Sequence, residues 1–157
     1  MSPVLIGERT NLIGSRKFKE LIKSGKFDEA AEVARAQVKA GAQIIDICLA
    51  DLEGDEVGDI EKLMDLVVRK IRVPIMLDST DPEVFERALK YCQGKSIFKS
   101  INLEDGEERF EAVVPLARKY CAAMVVGTID EVPERGMGVT CARKLVSSRL
   151  RLPRISS

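Results

Sequence analysis

Val73-Pro74-Ile75-Met76-Leu77-Asp78-Ser79-Thr80-Asp81-Pro82-Glu83-Val84-Phe85 contains a whole strand-to-helix unit. Val73–Leu77 is a short apolar run, the pattern of a parallel strand covered on both faces. Asp81-Pro82-Glu83 then reads as N-cap, first-turn proline and first-turn acid, the order that starts a helix. Val84, Phe85, Ala88, Leu89 and Cys92 give that helix one apolar face. Between strand and helix lies the polar cluster Asp78-Ser79-Thr80. Parallel α/β folds place their ligand-binding groups at this strand end.

The same unit recurs along the chain. Apolar runs at Val4–Gly7, Gln43–Leu49, Ser96–Ile101 and Ala122–Gly127 meet the clusters Gly7-Glu8-Arg9-Thr10-Asn11, Asp46-Ile47-Cys48, Ser100-Ile101-Asn102 and Thr128-Ile129-Asp130-Glu131. After the first run come a loop with Asn11 and Gly14 and a basic stretch, Arg16–Lys26. Phe27–Ala40 has helical periodicity in Ala30, Val33, Ala34 and Val38, with Gly41 as its stop. Asp59 is positioned to cap a helix carrying Ile60, Leu63, Met64, Val67 and Ile71, and Asp105-Gly106-Glu107 to open another. Alternating strands and helices predict right-handed βαβ crossovers and a parallel sheet.

Two architectures fit, a (β/α)8 barrel and an open doubly wound sheet. The first β–α turn lacks GxGxxG, and GxxxxGK[ST] is absent, which disfavours a nucleotide-binding open sheet. The expectation is a TIM-type α/β barrel present in part, about five of eight units, over residues 1–138. Residues 139–157 form a basic tail with a weak helical stripe. Beyond Gly138 there are five bases and no acid, so the first 138 residues carry −5 in a chain of zero net charge. Overall neutrality gives no field that would steer nucleic acid to the whole molecule.

The sequence has no membrane-length apolar run and no signal-type h-region, so a cytoplasmic protein is expected. Cys48, Cys92, Cys121 and Cys141 lack CxxC spacing and histidine is absent, so reduced thiols are expected and a zinc site is not. Cys92 and Cys121 are expected to pack as small hydrophobes. Without histidine, acid–base chemistry falls to carboxylates, amides, hydroxyls or lysine.

Asp78 shares strand parity with Met76 and is expected on the sheet face opposite Leu77. There it could accept hydrogen bonds from a flat amide- or amine-bearing ligand. The alternative is that Asp78 or Ser79 satisfies backbone groups at a turn. Asp46, within Ile44-Ile45-Asp46-Ile47, either lines the site or pairs with a polar group of a neighbouring strand, because an unpaired buried carboxylate is costly. Glu8, Arg9 and Asn11 offer an acid, a base and an amide, or Glu8 and Arg9 form a structural ion pair. Lys99 has the parity of Ile97 and Ile101 and is expected near the barrel mouth. With a depressed pKa it could form a Schiff base, the mark of an aldolase-type lyase.

Ile6-Gly7-Glu8-Arg9-Thr10-Asn11, Ile45-Asp46-Ile47-Cys48-Leu49-Ala50, Met76-Leu77-Asp78-Ser79-Thr80, Ser100-Ile101-Asn102-Leu103-Glu104-Asp105-Gly106-Glu107 and Val126-Gly127-Thr128-Ile129-Asp130-Glu131 together resemble a known family. It is the methyltetrahydrofolate-binding (pterin-binding) domain of cobalamin-dependent methionine synthase, related to corrinoid methyltransferases and dihydropteroate synthase. The resemblance covers about residues 3–145 in unbroken order. It implies a (β/α)8 barrel that holds the pterin at the strands' carboxyl ends. It also implies transfer of the N5 methyl of 5-methyltetrahydrofolate to cob(I)alamin carried on a partner domain or subunit.

By this resemblance Asp78 holds the pterin ring, and Glu8, Asn11, Asp46, Ser79, Ser100 and Asn102 complete the substrate-binding set. Lys99-Ser100-Ile101 stands where the family has Asn-Ser-Ile, whose asparagine contacts N5. Lys99 therefore occupies a catalytic position with a group that can only donate. The resemblance fades near Leu145, so the expectation is a shortened barrel with impaired transfer whose open sheet edges favour self-association. A non-catalytic fragment or assembly module of the same fold is the alternative. A dihydropteroate synthase-like enzyme is the further one, although its Asn-x-Thr-Pro-Asp-Ser-Phe loop has no counterpart after strand one.

Overall fold

A computed structural model describes residues 3–51, 54–101 and 108–127. Its elements run β1 (Ile6–Asn11), α1 (Arg16–Lys23), α2 (Phe27–Lys39), β2 (Ile44–Cys48), α3 (Glu56–Lys70), β3 (Ile75–Asp78), α4 (Pro82–Leu89), β4 (Ile97–Ile101), α5 (Glu108–Lys119) and β5 (Ala123–Val126). All five strands are parallel and lie in the order β1-β2-β3-β4-β5. A doubly wound sheet reverses its strand order at a switch point. Here each crossover steps in the same direction, and right-handed crossovers then put every helix on one side of the sheet. The described residues therefore form an open α/β sheet, part of a TIM-type barrel. Asn102, Asp105-Gly106-Glu107, Thr128-Ile129-Asp130-Glu131, Cys141 and the 139–157 tail lie outside the described residues.

Register assigns the two faces. Ile45, Ile47, Leu77 and Phe98 align across β2, β3 and β4 and are buried against the helices. Phe85 of α4 meets Phe98 with ring centroids 4.5 Å apart. Burying one such side chain contributes about 1.5–3 kcal/mol. The alternate residues Asp46, Met76, Asp78 and Lys99 occupy the opposite, interior face. Asp78 thus points away from Leu77, as its parity predicts. In β4 a bulge between Phe98 and Ile101 breaks the alternation expected for Lys99, and Ile101 turns into the core on the side of Phe98.

Several boundaries differ from the sequence reading. β1 is Ile6–Asn11 rather than Val4–Gly7, so the Glu8–Asn11 cluster is strand, not loop. The reason is tertiary. The Arg9 N–H donates to Gln37 Oε1 of α2 at 2.7 Å, the Gln37 amide donates to Thr10 Oγ1, and the Thr10 hydroxyl donates to the Asp46 carbonyl. These bonds satisfy polar groups that would otherwise favour a loop, and Thr10 is fully buried. Gly7 is required where α2 comes close, since a Cβ would lie 2.7 Å from Gln37 Oε1 and 3.0 Å from Ile45 Cδ1.

The basic stretch contains a helix, α1. Ser15 Oγ accepts from the Phe18 N–H, while Phe18, Leu21 and Ile22 face the core. Gly25, at φ 71°, ends it in the left-handed region. α3 begins at Glu56 because Asp55, not Asp59, is its cap, accepting from the Gly58 N–H at 2.9 Å. Asp81 caps α4 through the Glu83 N–H at 2.8 Å, with Pro82 in the first turn as read. α4 ends at Leu89, so Cys92 lies beyond it, half-buried. Cys121 does not pack as a small hydrophobe, because it is exposed at φ 51° in the turn after α5. Ion pairs link the helices in chain order: Lys70 to Asp28 and Glu32, Arg87 to Glu61, and Lys119 to Glu86. No described helix is long and apolar enough to cross a membrane.

Candidate functional site

Four strands converge on one ammonium group. Lys99 Nζ lies 3.3 Å from Glu8 Oε1 of β1, 3.6 Å from Asp46 Oδ1 of β2 and 3.6 Å from Asp78 Oδ2 of β3. Asp78 and Lys99 are register partners, and Asp46 sits one strand further and two residues lower. Asn11 closes the group from β1, donating its amide to Asp46 Oδ2 at 3.3 Å. Its Oδ1 accepts from the Ile13 and Gly14 N–H groups, tying the β1–α1 loop to the site. Glu8, Asn11, Asp46, Asp78 and Lys99 are therefore one cluster. Glu8 pairs with Lys99, and Asp46 takes the polar partners on neighbouring strands that its burial demands.

Burial pushes the Asp46 carboxyl above the usual carboxylate range. The Asn11 amide and the Lys99 charge pull it back, while the Asp78 and Glu8 charges add to the rise. Its Oδ1 is buried without a hydrogen-bond partner, since the ammonium at 3.6 Å is beyond bonding distance. For Lys99, burial favours the neutral amine, but Asp46, Glu8 and Asp78 together outweigh it and the pKa rises. That overturns the depressed pKa a Schiff-base lysine would need: at neutral pH Lys99 is a charged donor. Cys48, two residues beyond Asp46 on β2, is buried, and burial pushes its thiol up to about 11.

Ser79, just beyond the end of β3, is buried. Its Oγ accepts from the Asp81 N–H at 3.1 Å and its carbonyl accepts from Arg109 Nη2 at 2.8 Å. Burial pushes the Glu56 carboxyl above the usual carboxylate range, and Ser79 offsets part of that push. The turn-stabilising alternative thus describes Ser79, while Asp78 remains on the interior face. Glu56 Oε1 and Arg109 Nε are buried without hydrogen-bond partners. Such orphaned atoms cost about 1–3 kcal/mol each. Neither residue stands out in the sequence, because only the fold brings both to Ser79.

Ser100 lies in the β4 bulge beside Lys99, half-buried, and Asn102 is outside the described residues. A cavity of about 350 Å3 lies between Ile71–Ile75 and Cys92–Ser96, at the strands' amino ends, remote from the cluster. The cluster itself occupies the concave interior face of the sheet. It offers three carboxylates as acceptors and Lys99 as donor, a set suited to a flat ring with several N–H groups. The family model described as pterin binding enzyme matches residues 7–151.

Proposed function

The chain belongs to the pterin binding enzyme family, and from that premise we propose that it binds 5-methyltetrahydrofolate and passes its N5 methyl group to a corrinoid acceptor. The observation that carries this reading is buried Asp46, whose Oδ1 accepts no hydrogen bond although Lys99 Nζ lies 3.6 Å away, beside Asp78 on the next strand. A pterin has ring and exocyclic N–H donors, and two adjacent carboxylates match them. Asp78 holds the ring, Asn11 and Asp46 line the pocket, and Glu8, Ser79, Ser100 and Asn102 support it.

A tertiary amine is a poor leaving group, so N5 needs a proton or a strong hydrogen bond before the methyl group departs. Lys99 is the donor available on the interior face. Cob(I)alamin, held on a partner domain or subunit, supplies the nucleophile that accepts the methyl group. This chain's residues bind and orient the folate.

One observation favours a second reading, a pterin-binding module with little or no transfer. Lys99 already engages Asp46 and Asp78, the carboxylates a ligand would need. Binding is therefore expected to be weak, with a Kd of about 100 μM or higher, equivalent to about 5.5 kcal/mol. Calorimetry with 5-methyltetrahydrofolate tests both readings. Weak binding lost in Asp78→Ala supports a pterin site, and no binding by the wild type sinks it. Single-turnover demethylation of the folate with free cob(I)alamin separates transferase from module. Binding of a 7,8-dihydropterin with no methyl transfer would move the assignment towards the dihydropteroate synthase-like alternative.

A further inference from the structure

We propose that the cavity at the amino ends of β3 and β4 is a second binding site, built for a small organic anion: a carboxylate or sulfonate on an apolar body. It measures about 350 Å3 and lies at the opposite strand ends from Asp78 and Lys99. Val68, Val73, Pro74 and Ile75 give it an apolar wall, and Arg72 and Lys95 bring two positive charges to it. The volume falls in the lower part of the range for small-molecule sites, about 300–1,000 Å3.

Both cations are fixed, and neither is neutralised. Arg72 Nη1 donates to the Val68 carbonyl at 2.7 Å and to the Ile71 carbonyl at 2.9 Å. Lys95 Nζ donates to the Cys121 carbonyl at 2.9 Å. Lys70, Arg87 and Lys119 each meet a carboxylate, but Arg72 and Lys95 form no ion pair among the described residues. Their backbone bonds use one guanidinium nitrogen and one of three ammonium donors, so both keep donors for a ligand. α3 and α4 end beside the cavity, at Lys70 and Leu89, and each helix end contributes about −0.5 charge. Two such ends against two full cations leave about +1.

That charge excludes a cation as the occupant, and the apolar wall argues against a bare inorganic anion, which would leave the wall wet. A ligand carrying both parts gains twice: a paired charge, and about 25 cal/mol for each Å2 of apolar surface removed from water. A neutral apolar molecule gains only the second. The site stands on its own geometry and does not depend on the pterin reading.

Gly94 is the position at which to block it. Gly94 lines the cavity, its φ lies outside the left-handed region and a Cβ there meets nothing within 4 Å. Gly94→Leu therefore fills the space without straining the fold. Ligand-observed 19F NMR on the full chain, with 4-fluorobenzoate and 4-fluorobenzamide as probes, reads binding by line broadening. 4-Fluorobenzoate should bind more tightly than the amide. Arg72→Gln and Lys95→Gln should each weaken it by about three- to fivefold, the upper range for exposed ion pairs, and leave the amide unchanged. Gly94→Leu should abolish binding of both.

Equal affinity for the two probes in wild type overturns the charge basis, and undiminished 4-fluorobenzoate binding in Gly94→Leu overturns the location. Displacement of that probe by inorganic phosphate at equal concentration overturns the apolar requirement. No broadening at about 10 mM 4-fluorobenzoate, above the ~1 mM Kd expected of so small a ligand, overturns the proposal outright. If Arg72→Gln loses the α3 cap and does not fold, Lys95→Gln and Gly94→Leu decide it by the same readout.

Discussion

Lys99 Nζ stands 3.6 Å from Asp78 Oδ2, its register partner across β3 and β4, and equally far from Asp46 Oδ1 one strand beyond. One ammonium group thus spans two carboxylates that a bound ring would use as acceptors. Lys99→Asn is expected to raise affinity for 5-methyltetrahydrofolate, because it frees both carboxylates and adds an amide that can donate or accept. The same change removes the counter-charge from buried Asp46, at a cost of about 1–3 kcal/mol of folding stability at neutral pH. Calorimetry and urea unfolding on the same variant check the opposed signs. Unchanged affinity would show that Lys99 does not compete for the site.

The interior face also has an alkaline signature. Burial pushes the Cys48 thiol from the ordinary 9.0 up to about 11 in the folded chain. Its folded pKa is raised, so its contribution is fully present below the unfolded value and is lost as pH rises through the folded one. Lys99 is also raised, and its contribution is lost only above the ordinary lysine value of about 10.4. Wild type should therefore lose about 2–3 kcal/mol between roughly pH 9 and 11 through Cys48. In Cys48→Ala that early loss should shrink to the share left by Cys92, whose thiol burial also pushes up, while the decline above it remains. Coincident pH–stability curves for the two proteins would remove Cys48 from the account.

Thiol chemistry should follow the same contrast. Cys121 is exposed in the turn after α5, Cys92 is half-buried and Cys48 is buried with a raised pKa. Reactivity follows thiolate fraction and access. Iodoacetamide at pH 8 should modify Cys121 well before Cys48, as read by peptide mapping over time. Equal rates would mean that the sheet opens on the labelling timescale.

What could be read from the sequence follows from which interactions are local. Asp81-Pro82-Glu83 announces α4 because a cap, a proline and a first-turn acid act within one turn. The alternation of Met76, Leu77 and Asp78 fixes the interior face because strand parity is local too. Parity failed at Ile101, where a bulge that depends on β5 resets it. The apolar run alone puts β1 too early, because Glu8–Asn11 are polar and only Gln37 and Asp46 from other elements make a strand there favourable. α1 was hidden by its lysines, although Ser15, Phe18, Leu21 and Ile22 had the right spacing. Strand parity with Ile97 gives Lys99 its face, but its charge state depends on three carboxylates from three other strands. Glu56 and Arg109 had no local signal at all.

Gly7 provides the last test, because it connects the outer helix layer to the site. A Cβ there would lie 2.7 Å from Gln37 Oε1, the atom that accepts the Arg9 N–H. Gln37 is a long side chain, but it cannot yield freely, since its amide also donates to Thr10 Oγ1. Thr10 in turn donates to the carbonyl of Asp46, so displacing Gln37 strips support from both β1 and the Asp46 backbone. Ile45 Cδ1, at 3.0 Å, closes the other side of the space. Gly7→Ala should therefore destabilise the fold by about 1–3 kcal/mol, the usual cost of overpacking. Gln37→Ala should cost less, because Thr10 keeps its bond to the Asp46 carbonyl and water can reach the exposed Arg9 N–H. The double variant Gly7→Ala/Gln37→Ala should lose less than the sum, because the 2.7 Å contact with Gln37 Oε1 is then gone, leaving Gln37 Cβ at 3.1 Å and Ile45 Cδ1 at 3.0 Å. A double-mutant cycle by urea unfolding measures this, and strict additivity would show that Gly7 and Gln37 do not act through the same contact.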